Sequence, residues 1–171
     1  HGPKDFTELC MQAAEIMLMQ GKVAENKEEA RKMLDEVVAS GKAFETFKDM
    51  VKAQGGNVDM IENPELLPQS KFKTEIKSEE SGNVKVLHSE RLGVLAMQLG
   101  AGRETKEQDV NHAVGLELAC KRGDKVNKGD TICIVYHDEE LKPQWVDELY
   151  HAFELTNEEV APQPIIEKVL S

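Results

Sequence analysis

Residues Gly123–Asp130, GDKVNKGD, are followed at once by the apolar run TICIVY, Thr131–Tyr136, and together they are the strongest indication of the fold of the second half of this chain. Two glycines bound the first segment, and glycine readily adopts the backbone conformations that tight turns require. Val126 is expected in the core while its charged neighbours face water. The pattern predicts a glycine-bounded turn that leads into a buried strand of an antiparallel sheet.

Strand and helix patterns alternate on both sides of this stretch. Apolar residues at every second position predict strands near residues 72–76, 84–86 and 114–118. Helical spacing predicts one helix capped by Ser89 and a second opened by Pro143, with Phe153 on the apolar face of the second. We therefore predict an α+β fold in which residues 71–171 form a small α+β domain with a barrel-sandwich-like antiparallel sheet.

Residues 1–68 are predicted to be a helical segment. Asp5 and Glu8, three positions apart, predict a capping box at the start of the first helix. Asn26 and Glu29 repeat that spacing and predict the start of the second. Prolines then interrupt the helical pattern, so we place a domain boundary at about residue 68.

Composition limits the classes of function. The 171 residues carry a formal net charge of −11, with 40% hydrophobic and 31% charged residues, which is typical of a globular chain and not of a membrane protein. The acidic balance argues against duplex nucleic acid as a partner, because that affinity comes mostly from lysine and arginine on phosphates. Cys10, Cys120 and Cys133 form no Cys-x-x-Cys motif, so we predict buried, reduced thiols in a cytoplasmic protein.

Motifs with possible chemistry are few. Gly100 and Gly102 are half of a dinucleotide fingerprint, but Thr105 stands where the third glycine would be, so a helix end with a tight turn is predicted instead. Asp109 and His112 have the spacing of a pair on one helical turn. No metal-ligand spacing and no nucleotide-binding loop occurs, so neither a metal nor a cofactor is expected.

The turn at Gly123–Asp130 resembles the second half of biotinyl and lipoyl carrier domains. A carrier must present a lysine on a protruding hairpin, and Tyr136–Glu140, YHDEE, contains none. A carrier of this kind and a stand-alone interaction domain are the two alternative interpretations of the chain.

Several motifs in order resemble the C-terminal region of pyrimidine-nucleoside phosphorylases and thymidine phosphorylases. They are LGAGR at Leu99–Arg103, DVNHAVG at Asp109–Gly115 and GDKVNKG at Gly123–Gly129, with DFTELC at Asp5–Cys10 and AQGG at Ala53–Gly56 upstream. The similarity covers essentially the whole chain. It implies that residues 1–68 are helices from the end of a large α/β domain and that residues 71–171 are the appended C-terminal domain.

The resemblance also implies a function for a longer parent protein. Such a parent is a cytoplasmic homodimer that cleaves uridine or thymidine with inorganic phosphate, giving free base and pentose 1-phosphate in pyrimidine salvage. The family holds phosphate with a Lys-x-Ser-x-Gly-Gly type of loop and reads the base with arginine, serine and lysine residues, all in the N-terminal portion. No such loop occurs here, so no catalytic or substrate-binding residue is carried over.

The chain by itself is therefore expected to be inactive, with the remainder of the parent enzyme as its partner. It begins with His1 and not with Met, as a piece cut from a longer protein would. The resemblance assigns one candidate site, a loop that helps the parent's domains close, formed by Gly100, Ala101, Gly102 and Arg103. Arg103 is its candidate for facing an anion. Nothing in the sequence separates uridine from thymidine as the preferred substrate.

Overall fold

The computed structural model describes residues 2–103 and 105–169. These residues divide into two compact units, one made of residues 2–64 and 164–169 and the other of the described residues between 65 and 163. No helix within the described ranges has the length and apolarity that a membrane crossing needs.

The first unit is built from helices. Their bounds are Lys4–Gln20 (α1), Lys27–Ala39 (α2), Lys42–Ala53 (α3) and the short Asp59–Glu62 (α4). Asn26 caps α2 as predicted, since its side-chain oxygen accepts a hydrogen bond from the Glu29 amide at 2.9 Å. Gly41, with φ of +76°, separates α2 from α3.

The capping box predicted at Asp5 and Glu8 is wrong. Helix α1 begins at Lys4 behind Pro3, so Asp5 lies inside the first turn and its carboxylate accepts from the adjacent Phe6 amide at 2.8 Å. Glu8 instead reaches Arg31 of α2, with Nη2–Oε1 at 2.7 Å and Nη1–Oε2 at 3.0 Å. The same guanidinium contacts the buried Glu15 through Nε. The Glu8 carboxylate that a capping box would need is therefore part of a salt-bridge network between α1 and α2.

The second unit alternates strands and helices. A 3₁₀ turn at Pro64–Leu66 leads into it. Its strands are Phe72–Lys77 (β1), Gly82–Leu87 (β2), Gly115–Leu118 (β3), Lys125–Val126 (β4), Thr131–His137 (β5) and Phe153–Thr156 (β6). Its helices are Ser89–Ala96 (α5), continued by a π-helical turn at Met97–Ala101, and Pro143–His151 (α6).

The strands form two three-stranded antiparallel sheets, in the orders β1-β5-β3 and β4-β2-β6. In the first sheet Val135 of β5 is opposite Thr74 of β1 on one side and Leu116 of β3 on the other. In the second, Leu87 of β2 is opposite Phe153 of β6. The α+β prediction is confirmed. The antiparallel strands are divided between two small sheets, and they do not close into a barrel.

The core of this unit is one cluster contributed by both sheets and by α5 and α6. Its largest fully buried side chains are Val84, Cys133, Val135 and Leu149. Val126, from the glycine-bounded turn, is 3% exposed and belongs to the same cluster, as predicted. The turn itself needs its glycines, because Gly123 and Gly129 have φ values of +94° and +91°.

Three further predictions are corrected. Ser89 is the first residue of α5 and not its cap; His88 holds the cap position, with no side-chain cap bond. Helix α6 ends at His151, so Phe153 starts β6 and does not extend the helix. Cys10 is exposed, whereas Cys120 and Cys133 are buried free thiols whose pKa values burial raises to about 11.

Candidate functional site

The loop Gly100–Arg103, called the glycine loop below, follows the π-helical turn at the end of α5. Gly100 has φ of +105° and ψ of 0°, a conformation that side chains with a Cβ rarely adopt. A Cβ on Gly102 would lie 3.2 Å from the Cβ and Cγ atoms of Met97. The glycines therefore serve a sharp helix end and a close packing contact, as the sequence predicts for a turn.

Two clefts flank the glycine loop. One, of about 280 Å³, is lined by Gln98, Leu99, Gly100, Asn111, His137, Asp138, Glu139 and Trp145. The other, of about 350 Å³, is lined by Met97, Gln98, Gly100, Gly102, Gln108 and Asp109. Gln98 and Gly100 are common to both, so the loop backbone forms the ridge between them.

Arg103 is exposed and lines neither cleft. It makes no hydrogen bond or ion pair with any residue that the structure describes. Its guanidinium is therefore available to a group outside the described part of the chain. Asp109 and His112 lie in an irregular segment and not on a helix, and within the described ranges no bond joins their side chains.

Asp138 and Asn111 join the glycine loop to the first sheet. The Asp138 carboxylate accepts from the Lys71 amide and from Asn111 Nδ2, both at 2.7 Å. Those two donors, the Lys71 amide first, hold the pKa of Asp138 below its ordinary value. The Asn111 amide in turn donates to the Gly100 carbonyl at 2.8 Å. The sequence placed Asn111 in a motif, but nothing local linked it to Asp138.

His137 forms the buried floor of the smaller cleft and is 6% exposed. Its Nδ1 lies 2.6 Å from the Glu139 carbonyl, which can only accept, so Nδ1 carries a proton. In the neutral ring Nε2 is then the acceptor for the Thr74 hydroxyl at 2.8 Å. The ring also stacks on Phe72, with centroids 5.4 Å apart. Every polar atom of the imidazole has a partner, which indicates a structural role for this histidine.

No group of three or more histidine, cysteine, aspartate or glutamate side chains within residues 2–103 and 105–169 has metal-binding geometry. The site therefore consists of a ridge of loop backbone shaped by two glycines, with the exposed Arg103 at its end. Two short antiparallel sheets and two helices define the class of the second unit, which is a small α+β domain.

Comparisons with known proteins show what this chain is similar to. Residues 83–156 match the family described as "Pyrimidine nucleoside phosphorylase C-terminal domain". The chain is 38% identical over 164 residues to a pyrimidine-nucleoside phosphorylase of Bacillus subtilis, covering 96% of this chain and 38% of that protein. It is 39% identical over 170 residues to the protein of that name from Staphylococcus aureus strain USA300, covering 99% of this chain and 39% of that protein.

The chain is thus similar to pyrimidine-nucleoside phosphorylases over nearly its whole length, and residues 83–156 match the C-terminal domain of that family. It spans 38–39% of the length of these curated relatives.

Replacing Gly100 with alanine tests the conformation of the glycine loop. We expect a loss of about 1–2 kcal/mol in the free energy of unfolding, because only the backbone conformation is strained; the new Cβ would meet Asn111 and Val114 at ordinary distances. Urea unfolding followed by fluorescence measures the loss. Gly93, inside α5 with open space around it, is the control: Gly93→Ala is expected to stabilise by about 0.5–1 kcal/mol. A change in the free energy of unfolding with the same sign in both variants would contradict a strained backbone conformation at Gly100.

Proposed function

We propose that this chain is the C-terminal part of a pyrimidine-nucleoside phosphorylase, an enzyme that uses inorganic phosphate to cleave uridine or thymidine into free base and pentose 1-phosphate. The observation that carries the proposal is a sequence similarity of 38–39% identity that extends over 96–99% of the chain. It therefore includes the helical first unit as well as the domain that matches the family description.

The assignment of segments follows from the same proposal. Residues 1–68 are helices from the end of the parent's large domain, and residues 71–171 are its C-terminal domain. Large apolar side chains on the helices support this, because so many exposed ones are typical of a surface that another part of a protein covers: Phe6, Val37, Val38, Phe44, Phe47 and Met50. The parent is a cytoplasmic homodimer on this proposal.

The role of the glycine loop is domain closure. Cleavage of the bond between sugar and base passes through a centre of oxocarbenium character, so phosphate must be held in position and water excluded while the base leaves. The ridge at Gly100 presents an exposed edge for such a contact, and the exposed Arg103 has no hydrogen-bond or ion-pair partner among the described residues. Arg103 is then the group that meets a carboxylate or phosphate on the facing domain.

A phosphorolysis assay tests the proposal in two forms. The 171-residue chain alone, given uridine and orthophosphate, is expected to release no uracil. A chimera in which this chain replaces the matching segment of the Bacillus subtilis relative is expected to release it. Uracil release by the chain alone, or a folded chimera without phosphorolysis, would overturn the proposal.

Arg103→Ala in the same chimera tests the loop. Loss of one charge-assisted contact predicts a fall of about tenfold or more in kcat/KM. Lys106→Ala, three residues further on and also exposed, is the matched control for loss of charge and is expected to have a small effect. Equal effects of the two substitutions would contradict a specific role for Arg103.

A further inference from the structure

The contacts that hold the glycine loop run from one end of the first sheet. Asp138 directly follows β5, and its Oδ1 atom is fixed by the amide of Lys71, which directly precedes β1. Its Oδ2 atom holds the Asn111 side chain, and Asn111 is 27 residues away in sequence. The loop backbone is thus tied to the two strands that pair in the first sheet.

Asn111 has no freedom to turn its amide round. Its Oδ1 accepts from the Ala113 amide at 3.0 Å while its Nδ2 donates to Asp138 at 2.7 Å. A flipped side chain would set a carbonyl oxygen against the carboxylate and an NH₂ group against an N–H group. The two hydrogen bonds therefore allow one orientation of the Asn111 side chain. The backbone amide of the same residue donates to the Gly100 carbonyl, so the fixed side chain also holds that amide in place.

We propose that Asn111 and Asp138 are a positioning pair that holds the glycine loop in the shape needed for domain closure. The inference rests on the proposed function for the meaning of that shape, but the pair itself is a property of this chain. Without it the loop keeps its glycines and loses the contact that selects one conformation from the many that glycines allow.

The two residues allow a swap that separates this role from general stability. Asn111→Asp sets two carboxylates against each other. Asp138→Asn leaves one accepting oxygen for two donors, so its NH₂ group meets either the Asn111 NH₂ group or the Lys71 amide. In the double variant the new amide at position 138 still accepts from the Lys71 amide through its oxygen. Its NH₂ group donates to the new carboxylate at position 111, which still accepts from Ala113. Each single variant loses at least one of these hydrogen bonds, and the double variant restores all of them, with only the bond between positions 111 and 138 reversed in direction.

The experiment is amide hydrogen exchange by NMR on the 171-residue chain. The Asn111 amide, bonded to the Gly100 carbonyl, is the reporter, and the Val135 amide in the centre of β5 reports unfolding of the whole unit. Each single variant is expected to lower protection at position 111 by about tenfold or more while Val135 stays protected, and the double variant is expected to recover it. Recovery in the double variant decides the matter even where a single variant unfolds the unit.

A matched control lies at the glycine-bounded turn. There Asn127 Nδ2 donates to Asp130 at 3.0 Å, so Asn127→Asp also sets two carboxylates together, but far along the chain from the glycine loop. This variant is expected to leave protection at position 111 unchanged. A loss there equal to that of Asn111→Asp, or a double swap that restores nothing, would overturn the positioning pair.

The dependence on pH gives an independent signature. In the native chain the pKa of Asp138 is lowered, so its bonds are complete above the ordinary pKa of aspartate and are lost as pH falls through the lowered value. Lys71 and His137 are the charged or titratable neighbours that act in the same direction. In Asn111→Asp the pH dependence has the opposite sign. The two carboxylates repel at neutral pH, and a proton shared between them restores a hydrogen bond as pH falls. The amide shift of Gly100 follows both transitions, and a shift with the same sign of pH dependence in both proteins would overturn the inference.

Failure of this inference and failure of the proposed function are distinguishable. The exchange and pH measurements need no substrate, so a chimera without phosphorolysis leaves them standing. In an active chimera, Asn111→Asp is expected to lower kcat/KM and the double swap to restore it. An active chimera whose single variants keep both activity and loop protection would remove the positioning pair and leave the proposed function intact.

Discussion

Leu149→Ala is expected to lower the free energy of unfolding of the unit 65–163 by about 3–4 kcal/mol, because this side chain of α6 belongs to the core cluster and is 1% exposed. The shortened side chain loses its apolar contacts and leaves a cavity that the two short sheets fill only in part. Urea titration measures the change. Trp145, the single tryptophan of the chain, lies one turn earlier in α6 and reports on this unit alone.

Leu118→Ala is the control for this substitution. Leu118 ends β3 and is 41% exposed, so the same chemical change is expected to cost under about 1 kcal/mol. The slope of unfolding free energy against urea is expected to be unchanged in both variants. Similar losses from the two substitutions would contradict the placement of the core between the sheets.

Arg31→Met is expected to lower the free energy of unfolding of the helical unit by about 3 kcal/mol. Arg31 lies between Glu8 and Glu15, and the side chain of Glu15 is 7% exposed. Without the guanidinium a buried carboxylate has no counter-ion, which costs far more than the loss of a surface ion pair. Amide hydrogen exchange over α1 and α2 measures the effect, since this unit has no tryptophan.

Two companion variants make the Arg31 prediction specific. Glu8→Gln removes the exposed partner alone and is expected to have a small effect at neutral pH. Glu15→Met with Arg31→Met removes both charges of the buried contact and is expected to recover most of the stability that Arg31→Met loses. A double variant as unstable as the single one would show that packing of the arginine stem, and not the unpaired carboxylate, is responsible.

The network also predicts an acid dependence. Hydrogen bonds from Arg31, and then from Gln12, lower the pKa of Glu8 from 4.5 to about 2. A carboxyl whose pKa is lower in the folded state stabilises that state above pH 4.5 and loses this contribution as pH falls through about 2. Glu8→Gln is expected to remove this part of the acid dependence.

The sequence was most informative where one local rule acted alone. The glycines at 123 and 129, with Val126 between them, determined the turn, and Asn26 determined the start of α2. Local rules misled where a distant partner competed for the same group: the Asp5–Glu8 spacing suits a cap, but Arg31 takes Glu8. Phe153 has helical spacing, yet pairing with Leu87 makes it the first residue of a strand.

The candidate site likewise has one part that the sequence located and one part that it did not. The motif at Leu99–Arg103 located the glycine loop, because glycine pairs after a helical pattern are a strong local signal. The pair of Asn111 and Asp138 left no such signal, since its members belong to different motifs and meet only through the fold. A polar residue directly after a buried strand, as Asp138 is, is the one hint that the chain offers.

Both sheets have a consequence for synthesis on the ribosome. Strand β5 is the central strand of one sheet, yet it is translated after both of its neighbours. In the other sheet, β2 is translated well before its partner β6, whose Glu154 is hydrogen-bonded to His88, 66 residues away in sequence. A nascent chain that has emerged only as far as the end of β3 therefore holds β1 and β3 with nothing between them. Assembly of the domain depends on the last of its own strands to be translated, so a chain cut before β5 is expected to lose the fold of the whole domain and not only its final part.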